Sequence, residues 1–162
     1  MKRIAHLLCA LLALGGTHAA WAQVDVSAAF DHARLLESGQ AQLAANKRLV
    51  YDFWREVLEG GHLELADKYL AESYIQHNPG VPTGRAGFVK LFSQFSKPHA
   101  IAERVQAPLV DVVAEGNLVV LSFVARMPEP NAQGKTYTTT WFDMFRVEDG
   151  KIAEHWDPTL KH

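Results

Sequence analysis

The hydrophobic period of the chain changes once, near residue 100. From about Asn46, the apolar residues Leu49, Val50, Phe53, Trp54, Val57 and Leu58 recur at helical spacing, and Gly60-Gly61 predicts the stop. A second, short helix is expected with Leu63, Ala66, Tyr69 and Leu70 on one side. A third, roughly Arg85 to Ser96, places Phe88, Leu91, Phe92 and Phe95 at i, i+3, i+4 and i+7 and ends before Pro98. These aromatics read as core. Between the second and third helices, Tyr74-Ile-Gln-His-Asn-Pro79 breaks the helical pattern, and Pro79 biases Asn78 towards an extended or turn conformation. The run from Pro79 to Gly84 reads as loop. His77 and Asn78 could stand at a pocket mouth; equally, Asn78 could form an Asx-turn and His77 a solvated edge.

Beyond Pro98 the period is that of strands. Arg104 to Ala114, Leu118 to Met127, Lys135 to Val147 and Lys151 to Asp157 are the expected strands. Glu115-Gly116-Asn117 and Glu148-Asp149-Gly150 are hairpin turns, and Pro128 to Gly134 a longer connection. Leu118 to Ala125 is apolar on both faces, as in a strand covered on both sides. Three helices followed by an antiparallel meander give an α+β layout, helices against one face of a curved sheet.

The last hairpin carries the candidate chemistry: Asp143, His155 and Asp157 set among aromatic residues. Which of them meet depends on register, because a one-residue slip flips every side chain to the other face. A two-residue Asp149-Gly150 loop puts Asp143 opposite Trp156. A three-residue Glu148-Asp149-Gly150 loop puts Asp143 opposite His155 and Asp157 opposite Trp141. The second is favoured because it needs positive φ only at Gly150. Tyr137, Thr139, Trp141, Asp143, Phe145, Ala153, His155 and Asp157 then share one face. The other face carries Phe142, Met144, Ile152 and Trp156, more apolar surface than a monomer usually exposes, so a homodimer is expected. The inward face is either an acid–base pocket or a buried His–Asp pair that only fixes the sheet.

Met1 to Ala22 has the marks of an export signal: Lys2 and Arg3, an apolar run from Ile4 to Leu14 broken by His6, and Ala20-Trp21-Ala22 before the cleavage point. Eleven residues are too few to cross a bilayer of roughly 30 Å, so no stable membrane anchor is expected. Cleavage near Ala22 would deliver the chain to the periplasm or outside. Residues 23–45, Ala-rich and weakly patterned, read as an arm or helical lead-in, and residues 46–162 as the domain. Loss of Lys2 and Arg3 leaves 14 basic against 18 acidic residues, a formal charge of −4 without a basic cluster, which argues against nucleic acid. Cys9 is the single cysteine and lies within the signal, so the mature chain has no disulfide and no thiolate chemistry.

The early Y-I-Q-H-N-P and the terminal F-R-V-E-D-G-K-I-A-E-H-W-D, placed in this layout, resemble the SnoaL-like polyketide cyclases of the nuclear transport factor 2-like superfamily. The resemblance covers roughly Leu43 to Leu160. It implies a cone-shaped curved antiparallel sheet wrapped around N-terminal helices, a mostly apolar pocket, a dimer, and ring closure by cofactor-free aldol condensation. The family's acid–base aspartate would fall on Asp157, with Asp143, His155, His77 and Asn78 as polar neighbours. The export signal sets this chain apart from cyclases that act beside cytoplasmic machinery.

Three functions fit these residues. In an enzyme, a carboxylate takes a proton α to a carbonyl while His155 or a neighbour supports the enolate, with Tyr137, Trp141 and Phe145 among the pocket walls. A binding protein would use His77, Asn78 and Asp143 to orient a small apolar or carbonyl-containing ligand. A metal hydrolase would need His77, His155, Asp143 and Asp157 as ligands, a spacing that is not diagnostic, so no metal and no cofactor is expected. His32, His62, His99 and His162 lie in polar or loop contexts and read as solvated.

Overall fold

A computed structural model describes residues 24–161. The expected export signal and His162 lie outside the described residues. Helix α1 (His32–Leu35) precedes the main helix α2 (Ala41–Phe53), which continues into one π-helical stretch (Trp54–Glu59). A 3₁₀ turn (Leu63–Leu65) and α3 (Ala66–Tyr69) lead into strand β1 (Leu70–Gln76), followed by α4 (Arg85–Phe92). Strands β2 (Leu109–Glu115), β3 (Leu118–Pro128), β4 (Thr136–Glu148) and β5 (Lys151–Trp156) complete one sheet of order β1-β5-β4-β3-β2. The α+β layout holds, with one addition. Leu70 to Gln76 is a strand, not a helix end and a break, and it lies parallel to β5 at the sheet edge.

Helix α2 lies across the concave face of the sheet. Its stripe of Val50 and Phe53, extended by Val57, packs in one core with Leu109, Leu121, Phe145 and Ile152. The helix starts at Ala41, so its first turn extends into the stretch read as a lead-in. That lead-in is held down. Val26 N donates to Thr138 Oγ1 and Ala29 N to the Leu109 carbonyl. The π-helical stretch ends where only glycine fits: a Cβ on Gly61, which has φ +73°, would meet the Lys97 carbonyl oxygen at 2.4 Å. Helix α4 stops at Phe92, a turn earlier than its periodicity predicts. Phe95 is therefore left 66% exposed instead of buried. Strand β2 starts at Leu109, five residues after the expected Arg104.

The terminal hairpin takes neither expected register along its whole length. Its loop is the two-residue Asp149-Gly150, with φ of +49° and +70°, so Asp149 does adopt the conformation expected to be avoided. Glu148 pairs with Lys151 and Val147 with Ile152. The register then shifts: Ala153 is an extra residue, and Arg146 pairs with Glu154, Phe145 with His155 and Met144 with Trp156. Asp143 is thus opposite neither His155 nor Trp156. The bulge adds one residue to the two-residue register. That restores the parity of the three-residue loop, and His155 faces the same side as Asp143. It also corrects Ile152, which precedes the bulge and is fully buried in the core instead of on the outer face.

Register aligns residues in rows across the sheet. On the concave face, Val112, Leu121 and Asp143 form one row. Ala114, Val119, Phe145, His155 and Gln76 form the next. On the convex face Val113, Val120, Met144 and Trp156 are aligned. Strand β3 is accordingly not covered equally on both sides: Val119, Leu121 and Phe123 are buried, while Val120 and Val124 are half-buried.

Candidate active site

The concave face and α2, the π-helical stretch and α4 enclose a cavity of about 280 Å³. Its apolar wall includes Phe53, Trp54, Leu58, Phe88, Phe92 and Phe145, and its polar groups are Tyr74, Gln76, Asn78, Asp143, His155 and Asp157. Each polar group is positioned by its strand. Tyr74 and Gln76 alternate inward on β1, and parallel pairing sets Gln76 beside His155. Asn78 stands where β1 gives way to the Pro79 loop. Asp143 and His155 face inward on β4 and β5, and Asp157 follows directly after β5.

Hydrogen bonds link these groups in a defined direction. Backbone N–H of Asn78 donates to Gln76 Oε1 at 2.9 Å, which fixes the orientation of the Gln76 amide. Since Oε1 can only accept, His155 Nδ1, 2.8 Å away, carries a hydrogen and donates it. The other ring nitrogen, Nε2, lies 3.0 Å from Asp143 Oδ1. One proton occupies that gap, on the imidazole as an ion pair or on the carboxyl as a neutral pair. Both side chains are below 10% exposed.

The two carboxylates differ in what surrounds them. Asp143 Oδ2 is buried and accepts no hydrogen bond. Burial, reinforced weakly by the charge of Asp157, pushes the Asp143 carboxyl above its ordinary pKa, against the opposing pull of His155 and, more weakly, of the Trp141 indole. Asp157 is also raised by its burial, but donors outweigh this and hold it below its ordinary value. Thr159 N donates to Oδ1 at 2.9 Å, and Asn78 Nδ2 donates to Oδ2 at 2.7 Å and to Thr159 Oγ1. Asp157 is a fixed, hydrogen-bonded anion; Asp143 keeps one buried oxygen without a hydrogen bond.

Of the residues expected at a site, Asp143, His155, Asp157, Asn78 and Phe145 meet at this cavity. Three do not. His77 points to the convex face, where its Nε2 lies 2.6 Å from Glu154 Oε1 and its ring stacks on Trp156 at 5.0 Å, because neighbours on a strand alternate sides. Tyr137 is six residues from Asp143 along β4, roughly 20 Å at strand rise, and pairs with Met127. Trp141 faces inward but pairs with Phe123, whose ring stacks on Trp54 at 4.5 Å, and Trp54 forms the cavity wall there. Sequence reasoning missed Tyr74 and Gln76. Their alternation within Y-I-Q was the available signal, masked by the polar Glu72-Ser73 before it.

Ligand atoms of Asp143, His155 and Asp157 lie within 4.8 Å of one another, a donor set whose types suit a divalent cation. His77 cannot complete it from the other face. Among the remaining histidines, His32 is not merely solvated: its Nδ1 lies 2.8 Å from the Tyr51 hydroxyl, which accepts from Val105 N. His62 is likewise bonded, to Glu64 and the His99 carbonyl. A more open groove of about 630 Å³ lies beside α1. Arg48, Arg55 and Arg104 there are offset by Asp31, Asp52 and Glu103, so it has no charge preference.

No curated protein sequence matches this chain. Among solved structures it is similar to a protein of Acidithiobacillus ferrooxidans provisionally named a polyketide cyclase. The TM-score is 0.50 and the identity 22%, over 75% of this chain and 89% of that one. TsrD of Streptomyces laurentii is 24% identical over 70% of this chain and 87% of that one, with a TM-score of 0.45. An LEH-like epoxide hydrolase of M. tuberculosis is 17% identical over 70% and 80%, at 0.48. The first of these likenesses supports the fold, a curved sheet of the nuclear transport factor 2-like kind. The SnoaL-like domain family matches residues 50–155, well over half of the chain, and the protein belongs to that family.

Proposed function

We propose that the protein is an acid–base catalyst that removes and returns a proton α to a carbonyl in a small, largely apolar compound, as in aldol ring closure or isomerisation. One observation carries this reading: Asp143, which lines an apolar cavity, keeps its buried Oδ2 without a hydrogen bond while Oδ1 is tied to an oriented imidazole. An unpaired carboxylate oxygen in such a place is costly to keep unless it has work to do. The base is therefore Asp143 and not Asp157, whose donors lower its basicity. Oδ2 takes the α-proton, the C–H electron pair moves to the carbonyl oxygen as an enolate, and His155 balances the charge on Asp143. The enolate then attacks a second carbonyl or recovers a proton at carbon. General base help of this kind is worth roughly 10²–10⁴-fold. The test is deuterium uptake at the α-carbons of 2-tetralone in D₂O, followed by NMR. Catalysed exchange is expected, and exchange at the buffer rate contradicts the reading.

Two copies are proposed to pair through the convex face. Val113 and Phe142 are 54% and 52% exposed there, and Val120, Met144 and Trp156 continue the apolar surface. Sedimentation should show a dimer at micromolar concentration. Trp156→Glu should give a monomer, because a charge buried in that contact has no partner. A monomeric wild type contradicts the pairing.

A further inference from the structure

The acid–base reading leaves one buried group unused, the Tyr74 hydroxyl. Tyr74 is 1% exposed and lines the cavity, its ring edge-on to Phe88. Gln76 decides what its oxygen can do. Because Oε1 of that amide is committed to Asn78 N–H and His155 Nδ1–H, Nε2 faces Tyr74 and donates to the hydroxyl oxygen at 3.0 Å. The phenolic hydrogen must then point away from Gln76, and no described residue offers it an acceptor. Burial, then the charges of Asp157 and Asp143, raises the Tyr74 pKa well above the ordinary phenol value, so the group stays a donor.

The rest of the lining limits what can accept that hydrogen. Among the cavity residues are two carboxylates and no lysine or arginine, so a carboxylate or phosphate ester meets repulsion without a counter-charge. The volume, about 280 Å³, lies just below the range of roughly 300–1,000 Å³ usual for drug-sized ligands, too small for a fused four-ring compound.

We propose that the Tyr74 hydroxyl binds the carbonyl oxygen of an uncharged ketone of one or two rings, setting its α C–H against Asp143 Oδ2. This assignment rests on the acid–base reading for its reaction but not for its binding contact. When Oδ2 accepts the α-proton, the displaced electron pair collects on the oxygen that Tyr74 holds, where the hydrogen bond strengthens. Gln76 is a positioning residue: it turns the phenolic hydrogen towards the cavity and fixes the hydrogen on His155 Nδ1.

Infrared difference spectra of 2-tetralone labelled with ¹³C at the carbonyl test this directly. Bound to wild type, the C=O stretch should fall below its value in hexane. Bound to Tyr74→Phe it should return to the hexane value, with affinity weakened about fivefold to tenfold. The anion 2-naphthoate should bind wild type more weakly than 2-tetralone. An unshifted stretch in wild type overturns the proposal, as does a shift retained in Tyr74→Phe, a preference for naphthoate, or no 2-tetralone binding at millimolar concentration. If Tyr74→Phe does not fold, the wild-type stretch alone decides. A shifted stretch without deuterium exchange refutes the base and keeps the Tyr74 contact; exchange with an unshifted stretch does the reverse.

Discussion

Strand β5 carries a histidine–carboxylate pair on each face, and the two have little in common beyond residue type. On the convex face His77 meets Glu154 at 2.6 Å, and Glu154 also accepts from Arg146 Nε at 2.6 Å. Every carboxylate oxygen there has a donor, His77 is 43% exposed, and Glu154 is held below its ordinary pKa, first by His77. On the concave face His155 meets Asp143 at 3.0 Å, both are buried, and one oxygen has no donor. The closer contact is the more fully satisfied one. An imidazole and a guanidinium satisfy Glu154 completely, whereas the inner pair keeps an unspent acceptor beside an apolar cavity. In the proposed reaction it is what surrounds the second oxygen, and not distance alone, that would set the two pairs apart.

Substitutions can break this contrast. Asp143→Asn should reduce deuterium exchange into 2-tetralone by roughly 10²–10⁴-fold, and Glu154→Gln by about twofold or less. Comparable losses in both variants would mean that the faces are not functionally distinct.

Gln76→Leu removes the acceptor for His155 Nδ1–H and the donor to Tyr74, and should slow exchange roughly five- to tenfold with the fold retained. An unchanged rate would show that the imidazole needs no such anchor.

The smallest effect is on stability, and its sign separates the two inner carboxylates. Burial raises the folded pKa of Asp143, so the native state keeps a proton that the unfolded chain has already lost, and stability falls as pH rises through that range. Asp157 is pulled the same way by burial but more strongly the other way by Thr159 and Asn78. Its contribution is therefore present above the ordinary carboxylate pKa and lost as pH falls. In melts across pH 3 to 8, wild type should lose stability relative to Asp143→Asn as pH rises, and gain it relative to Asp157→Asn. Parallel slopes would contradict the assignment of roles.

Helices α2 to α4 and the four later strands were legible from their apolar periods, whereas α1 lies in the weakly patterned lead-in. Strand β1 was not: Leu70-Ala-Glu-Ser-Tyr-Ile-Gln76 offers only Leu70 and Tyr74 to the core, and its pairing with β5 is a contact between residues some 80 positions apart. With β1 went Gln76, the residue that orients the imidazole. The pairing of Asp143 with His155 was expected for a reason that does not hold. Backbone cost at Asp149 favoured a longer loop, yet Asp149 takes φ +49°, as aspartate tolerates better than most residues. The bulge at Ala153, which no local feature announces, then supplies the compensating residue. His77 was left between a pocket mouth and a solvated edge, while simple alternation from the inward Gln76 puts it on the outer face.

All of the site chemistry follows from the direction of the hydrogen bonds from Gln76 through His155 to Asp143. A ¹⁵N NMR spectrum of the protein labelled at its histidine rings reads that direction without a substrate. Nδ1 of His155 should appear as a protonated ring nitrogen, with its hydrogen coupled to it and protected from exchange, and Asp143→Asn should perturb Nε2 more than Nδ1. A bare Nδ1 with the hydrogen on Nε2 alone would leave Gln76 Oε1 without the donor assigned to it, make the pair a neutral imidazole beside an anionic Asp143, and contradict the account.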